Sequence, residues 1–126
     1  MKLHSTVTAG LNTVTAYGAG YVAVDGRVLK SSFILTPQQL IENWPAHDVA
    51  RLNSDDLAEI AKLDCPILLL GTGATQRFPD PMALRPLIAR QIGVEVMDNF
   101  AACRTYNILM AEGRAVALAL IMAPGA

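Results

Sequence analysis

Apolar residues in the first third of the chain come in short runs, Val14 to Tyr17, Tyr21 to Val24 and Val28 to Leu35, separated by Gly18, Gly20 and the pair Asp25 and Gly26. Asp-Gly between Val22, Val24, Val28 and Leu29 predicts a tight hairpin, because its turn needs residues that tolerate positive φ. An N-terminal β-meander is therefore expected. Thr36 and Pro37 end it, since proline has no amide for a ladder and turns its predecessor away from helix. The stretch 38–53, with Trp44, Pro45 and His47, fits either a short helical turn or an ordered loop.

Further along, the period changes. Ser54, Asp55 and Asp56 open a helix, with the Ser54 hydroxyl as its cap and Leu57, Ile60 and Ala61 as its apolar face. Pro66 to Leu70 is a continuous apolar run ended by Gly71, which suits a strand covered on both faces at the centre of a sheet. Pro81 begins a helix of about three turns carrying Met82, Leu84, Leu87, Ile88 and Ile92 up to Gly93. Val94 to Met97 forms a strand, Asp98 caps a helix over residues 99–111 that stops before Gly113, and Ala115 to Ile121 forms the last strand. Strands alternating with helices at these lengths give a mixed α/β (α+β) domain whose largely parallel or mixed sheet is covered on both faces.

Composition narrows the class. A chain of 126 residues, 52% hydrophobic and 17% charged, has room for one core and is expected to form a single domain over residues 1–126. Ten basic residues against eleven acidic ones, with a net charge of −1, leave no electrostatic footprint for nucleic acid. Ile67 to Leu70 and Ala115 to Ala123 are under half the roughly 20 residues a membrane helix needs, so no membrane span is expected. Residues 1–10 lack a secretory pattern. Cys65 and Cys103 are far apart and without CxxC spacing, which points to a reducing, cytoplasmic setting and gives no metal site.

Two places carry candidate chemistry. At Gly71, Thr72 and Gly73 the glycines permit close backbone approach, and Arg77, followed by Phe78, can hold an anion through paired hydrogen bonds. The segment lacks phosphate-loop or dinucleotide spacing, so a simple steering turn is the competing reading. On the helix over residues 99–111, Phe100, Cys103, Arg104 and Asn107 fall within roughly a 100° arc, and Asn99, Cys103, Arg104 and Asn107 join the Gly71 to Phe78 group as candidate ligand or partner-site residues. Arg104 needs a partner if buried, with Asp98 or strand-end carbonyls as structural choices. A nucleophilic Cys103 needs a positioned base, and the only histidines, His4 and His47, lie in weakly patterned regions. Cys103 therefore reads as a small buried hydrophobe. His47 with Asp48 is thin ground for acid–base work, and Asp55 with Asp56 reads as helix capping. Trp44 fits a core anchor or a partner contact equally. No catalytic residue, metal ligand or cofactor is assigned.

Tyr17, Gly18, Ala19 and Gly20, the strand end from Leu68 to Gly73, and the run from Val94 through Asp98 and Asn99 to Asn107, continued by Ala111 to Arg114, together carry a resemblance. They are similar to the small α/β family, of Mth938-like fold, that includes mitochondrial respiratory complex I assembly factor three and uncharacterised bacterial and archaeal proteins. The resemblance covers about residues 5–122. It implies a three-layer fold around a central mixed sheet and action through protein partners, without an established enzymatic activity. No mitochondrial presequence is expected, and with it the expected setting is prokaryotic. The leading expectation is a non-enzymatic interaction or assembly-factor-like domain presenting Arg77, Phe78 and the exposed part of the Arg104 helix to a protein partner, with self-association possible. The alternative is a small-molecule binder or enzyme in which Gly71, Thr72, Gly73, Arg77 and Arg104 converge on an anion at the strand ends.

Overall fold

Strict alternation along the apolar runs lets one sheet feed two cores. Leu68 and Leu70 point to one face and Leu69 to the other, as do Ala117 and Ala119 against Val116, Leu118 and Leu120, and Ile34 against Phe33 and Leu35. The protein's structure, a computed structural model, describes residues 10–123; His4 and the rest of residues 1–9 lie outside the described residues.

Its strands form two sheets. β1 (Val14–Gly18), β2 (Tyr21–Val24) and β3 (Arg27–Leu29) make the expected antiparallel meander. Asp25 and Gly26, at φ 49° and 85°, make its tight turn. The second sheet has five strands: β4 (Phe33–Leu35), β5 (Leu40–Ile41), β6 (Ile67–Gly71), β7 (Gly93–Met97) and β8 (Val116–Leu120), ordered β5-β4-β8-β6-β7. It is mixed: β6 runs parallel to β7 and β8, while β4 is antiparallel to β5 and β8.

Three helices cover this sheet. α1 (Ser54–Ala61) and α2 (Arg85–Ala89) bury Leu57, Ile60 and Leu87 with Trp44 on one face. α3 (Asn99–Ala111) and the three-stranded sheet share the other, around Phe33, Leu69, Ala102, Tyr106 and Met110. The architecture is thus three layers, as expected. Each fully buried leucine or isoleucine contributes about 1.5–3 kcal/mol.

Four local expectations are corrected. Val28 to Leu35 is two strands in two sheets rather than one: the chain changes sheet at Ser32, whose buried hydroxyl donates to the Ala46 carbonyl and accepts from Met122 N at 2.8 Å. The central strand is β8, with β6 beside it. Asn53, not Ser54, caps α1; its Oδ1 accepts from Asp56 N at 3.0 Å and its own N donates to Asp56 Oδ2 at 3.1 Å, a reciprocal capping box. The three-turn helix from Pro81 to Ile92 is a 3-10 turn, Pro81–Leu84, followed by α2. Pro86 has no amide to give the Met82 carbonyl, so α-helix cannot run through both.

The undecided stretch 38–53 holds β5 and a 3-10 turn, Val49–Arg51, capped by Asp48. Trp44 resolves as a core anchor, 2% exposed, donating from Nε1 to the Asp56 carbonyl at 3.0 Å.

Gly71 sits where packing leaves no room. A Cβ there would overlap the Leu120 side chain and Asn99 Oδ1. Gly71→Ala is expected to lower stability in urea unfolding by about 1–3 kcal/mol. Gly93→Ala, whose Cβ would meet only Pro66 O at 3.7 Å, is expected to stay within about 0.5 kcal/mol of the parent.

Candidate functional site

Parallel β6 and β8 end side by side, and the loop after β6 is fastened there. Ile121 N donates to Gly71 O at 2.9 Å and Thr72 N to Met97 O at 3.0 Å. The Thr72 hydroxyl donates to Thr75 O at 2.7 Å and accepts from Arg77 N at 3.0 Å, folding the loop back on itself. Asp98 caps α3 by accepting from Ala101 N at 2.9 Å, as its position in the sequence predicts.

Asn99 then joins three segments. Its N donates to Gly73 O at 2.9 Å, its Oδ1 accepts from Gly73 N at 3.0 Å and its Nδ2 donates to Ile121 O at 3.1 Å. Asn107, two turns on, pairs with Val14 as a neighbouring strand would: Oδ1 accepts from Val14 N at 3.0 Å and Nδ2 donates to Val14 O at 2.8 Å. Both amides are committed to backbone.

Cys103 is 0% exposed. Burial pushes its thiol from the ordinary value of 9.0 up to about 12; Arg104 pulls slightly the other way and Asp98 adds to the rise. A thiol so held is a core side chain. Burial likewise raises Tyr106, whose hydroxyl donates to Asn12 O at 2.8 Å.

The remaining candidates face solvent. Arg104 is exposed and donates to the Tyr17 hydroxyl at 3.3 Å, so it needs neither Asp98 nor a strand-end carbonyl. Tyr17 in turn packs on Phe100, with ring centroids 4.7 Å apart and planes inclined by 32°. Phe100 is 41% and Phe78 75% exposed. Arg77 lies 4.0 Å from Asp48 Oδ1, a loose pair between exposed side chains.

Two cavities meet at the Gly73 loop. One, an open cleft of about 700 Å³, has His47, Asp48, Arg51, Thr75 and Arg77 in its lining. The other, of about 450 Å³, lies between the Gly18 to Tyr21 turn and Phe100 and is mostly apolar. Gly73, Ala74, Ile121 and Ala123 line both. Arg104 lines neither, so the fold joins Arg77 with His47 and Arg51 instead of with Arg104. Neither grouping was visible in the sequence. The 3-10 turn and the β6 loop are more than twenty residues apart, and Tyr17 is over eighty from Phe100. Among the described residues, no cluster of three or more His, Cys, Asp or Glu side chains could hold a metal ion.

A sequence profile described as a protein of unknown function (DUF498/DUF598) matches residues 14–121. The chain belongs to this family. As a DUF498 member it is 30% identical over 114 residues to the Bos taurus protein named NADH dehydrogenase (ubiquinone) 1 alpha subcomplex assembly factor 3, an alignment covering 89% of this chain and 61% of that relative. The chain thus spans about three-fifths of the relative's length. Its fold is similar to the crystal structure of a Bordetella parapertussis protein, with TM-score 0.84 and 43% identity over 90% of this chain and 98% of that one. A Bordetella pertussis protein described as a Mth938-like domain gives TM-score 0.78 and 37% identity over 90% and 87%. The expected family and fold are therefore both established, and no helix among the described residues is long and apolar enough to cross a membrane.

Replacing Asn107 by Leu removes two bonds and strands the Val14 amide and carbonyl, so urea unfolding is expected to show a loss of about 2–4 kcal/mol. The Cys103 thiol is held protonated by the fold, so its contribution is complete below pH 9.0 and is lost as pH rises toward about 12. Stability measured across that interval should fall, and Cys103→Ala should show a shallower alkaline decline. Iodoacetamide should label Cys103 at the rate of unfolding, with native protein protected.

Proposed function

We propose that this chain is a non-enzymatic protein-interaction domain of the assembly-factor kind, with the Tyr17, Phe100 and Arg104 patch at the centre of its partner-facing surface. The single observation that carries this reading is the exposed Phe100 ring packed on a half-buried Tyr17, whose hydroxyl accepts a hydrogen bond from the exposed Arg104. Tyrosine, tryptophan and arginine are enriched among the few residues that dominate the energetics of protein interfaces. Here the hydrogen bond and ring contact already restrict all three side chains before any partner arrives.

Arg77 and Phe78 add a second exposed element to the same reading. The assembly-factor name of the bovine relative supports action through proteins, and the bacterial source of the structural neighbours supports a prokaryotic setting. We place the domain in the cytoplasm. Cys103, the one nucleophile considered from sequence, is sealed in the core, which favours binding over covalent catalysis.

In-cell crosslinking and capture of the tagged chain is expected to recover a specific protein partner. A Phe100→Ala, Arg104→Ala double variant, with unchanged thermal unfolding, should lose at least about tenfold of that recovery, as expected for truncating two interface anchors at roughly 1 kcal/mol or more each. Equal recovery by parent and variant would remove the patch from the interface. Recovery of no partner by either form would overturn the interaction reading itself.

A further inference from the structure

We propose that the cleft beside the Gly73 loop is a binding site for a small organic anion, a metabolite carrying a phosphate or carboxylate group, held by Arg51 and Arg77. This site is separate from the Tyr17 and Phe100 patch; it shares Arg77 with the partner reading but does not rest on that reading. Its volume of about 700 Å³ lies within the range of small-molecule sites, roughly 300–1,000 Å³, and exceeds the needs of a bare inorganic ion.

Two arginines line the cleft from segments far apart in sequence: Arg51 from the Val49–Arg51 3-10 turn and Arg77 from the β6 loop. Arg51 makes no ion pair among the described residues. Arg77 has one contact with a carboxylate, at 4.0 Å, too long for a guanidinium hydrogen bond. Both planar forks are therefore available for bidentate binding of an oxyanion.

Two carboxylates also line the cleft, and each already accepts a backbone amide. Asp48 accepts from Ala50 N at 3.0 Å, and Asp56 accepts from Asn53 N at 3.1 Å. They place the cap turn and α1, and neither makes a hydrogen bond to Arg51 or Arg77. Gly73, which also lines the cleft, has φ 100°, a conformation that side chains rarely adopt, and a Cβ there would project into open space. A ligand can approach the Gly73 main chain without meeting a side chain. The cleft sits beyond the carboxyl ends of β6 and β8, where open α/β sheets commonly take ligands.

The test is a two-dimensional amide NMR titration of the full chain with inorganic phosphate and, separately, malonate, at ionic strength held constant with chloride. Saturable shifts centred on residues 47–51 and 73–77 are expected for at least one of the two anions. Saturation by phosphate alone assigns a phosphate ester as the ligand class, and saturation by malonate alone assigns a carboxylate. An Arg51→Gln, Arg77→Gln double variant should weaken binding at least tenfold, while Arg114→Gln, outside the cleft, should leave it unchanged. Both variants should keep the parent's dispersed spectrum, since each altered side chain is at the surface. Shifts that fail to saturate, that follow total salt, or that persist equally in the double variant would overturn the proposal.

Discussion

The structure depends on one close approach, that of the first turn of α3 to the end of β6 at Gly71. A side chain at this position would occupy space taken by Leu120 and Asn99, so hydrogen at Cα is what allows helix and strand to meet. Once they meet, the Asn99 amide reaches both the Gly73 backbone and the Ile121 carbonyl. One short contact thereby sets the β6 loop, the exit of the central strand and the start of the longest helix relative to one another.

From this junction the other side of the molecule follows. The α3 axis carries Asn107 to β1, where its amide completes the backbone pairing of Val14 across 93 residues of sequence. Tyr106 adds a bond from the same helix to the Asn12 carbonyl. The meander is thus attached to the five-stranded sheet through polar bonds from α3 as well as through the shared apolar cluster. Hydrophobic burial supplies most of the free energy, but it is non-directional; the amides select one placement among many that would bury similar area.

Elements defined by local period were legible in the sequence. The Asp25 and Gly26 hairpin, the β6 run and the span of α3 with its Asp98 cap all follow from residues adjacent in sequence. The sheet change at Ser32 was not, because its hydroxyl is satisfied by Ala46 and Met122, 14 and 90 residues away. Ser54 and Asn53 are both sound caps by residue type, and only the reciprocal bond with Asp56 selects Asn53. Gly71 was recognisable as a point of close approach. Asn99 and Asn107, in contrast, attracted attention as ligand groups, since a polar residue on a partly apolar helix looks the same whether its partner is a ligand or a distant strand. The companions of Arg77 and Arg104 depend on tertiary contacts that no local pattern encodes.

That distinction between committed and uncommitted polarity also bears on function. Among the described residues every buried side-chain nitrogen or oxygen has a hydrogen-bond partner, so the interior holds no polar group waiting for a substrate. Asn99, Asn107 and Thr72 build the frame, and Cys103 fills it. Recognition therefore falls to side chains at the surface that the frame positions without consuming. Tyr17, Phe100 and Arg104 form one such set and Arg51 with Arg77 another, and both lie near the Gly71 junction because Asn99 fastens the β6 loop beside the first turn of α3. A rigid junction bearing two chemically different surfaces allows a protein contact and an anion to be sensed close together. Coupling between them would require the Gly73 loop to have two arrangements of comparable energy. The bonds from Thr72 and Asn99 oppose this by fixing one, so the two surfaces are better understood as independent sites on a common frame.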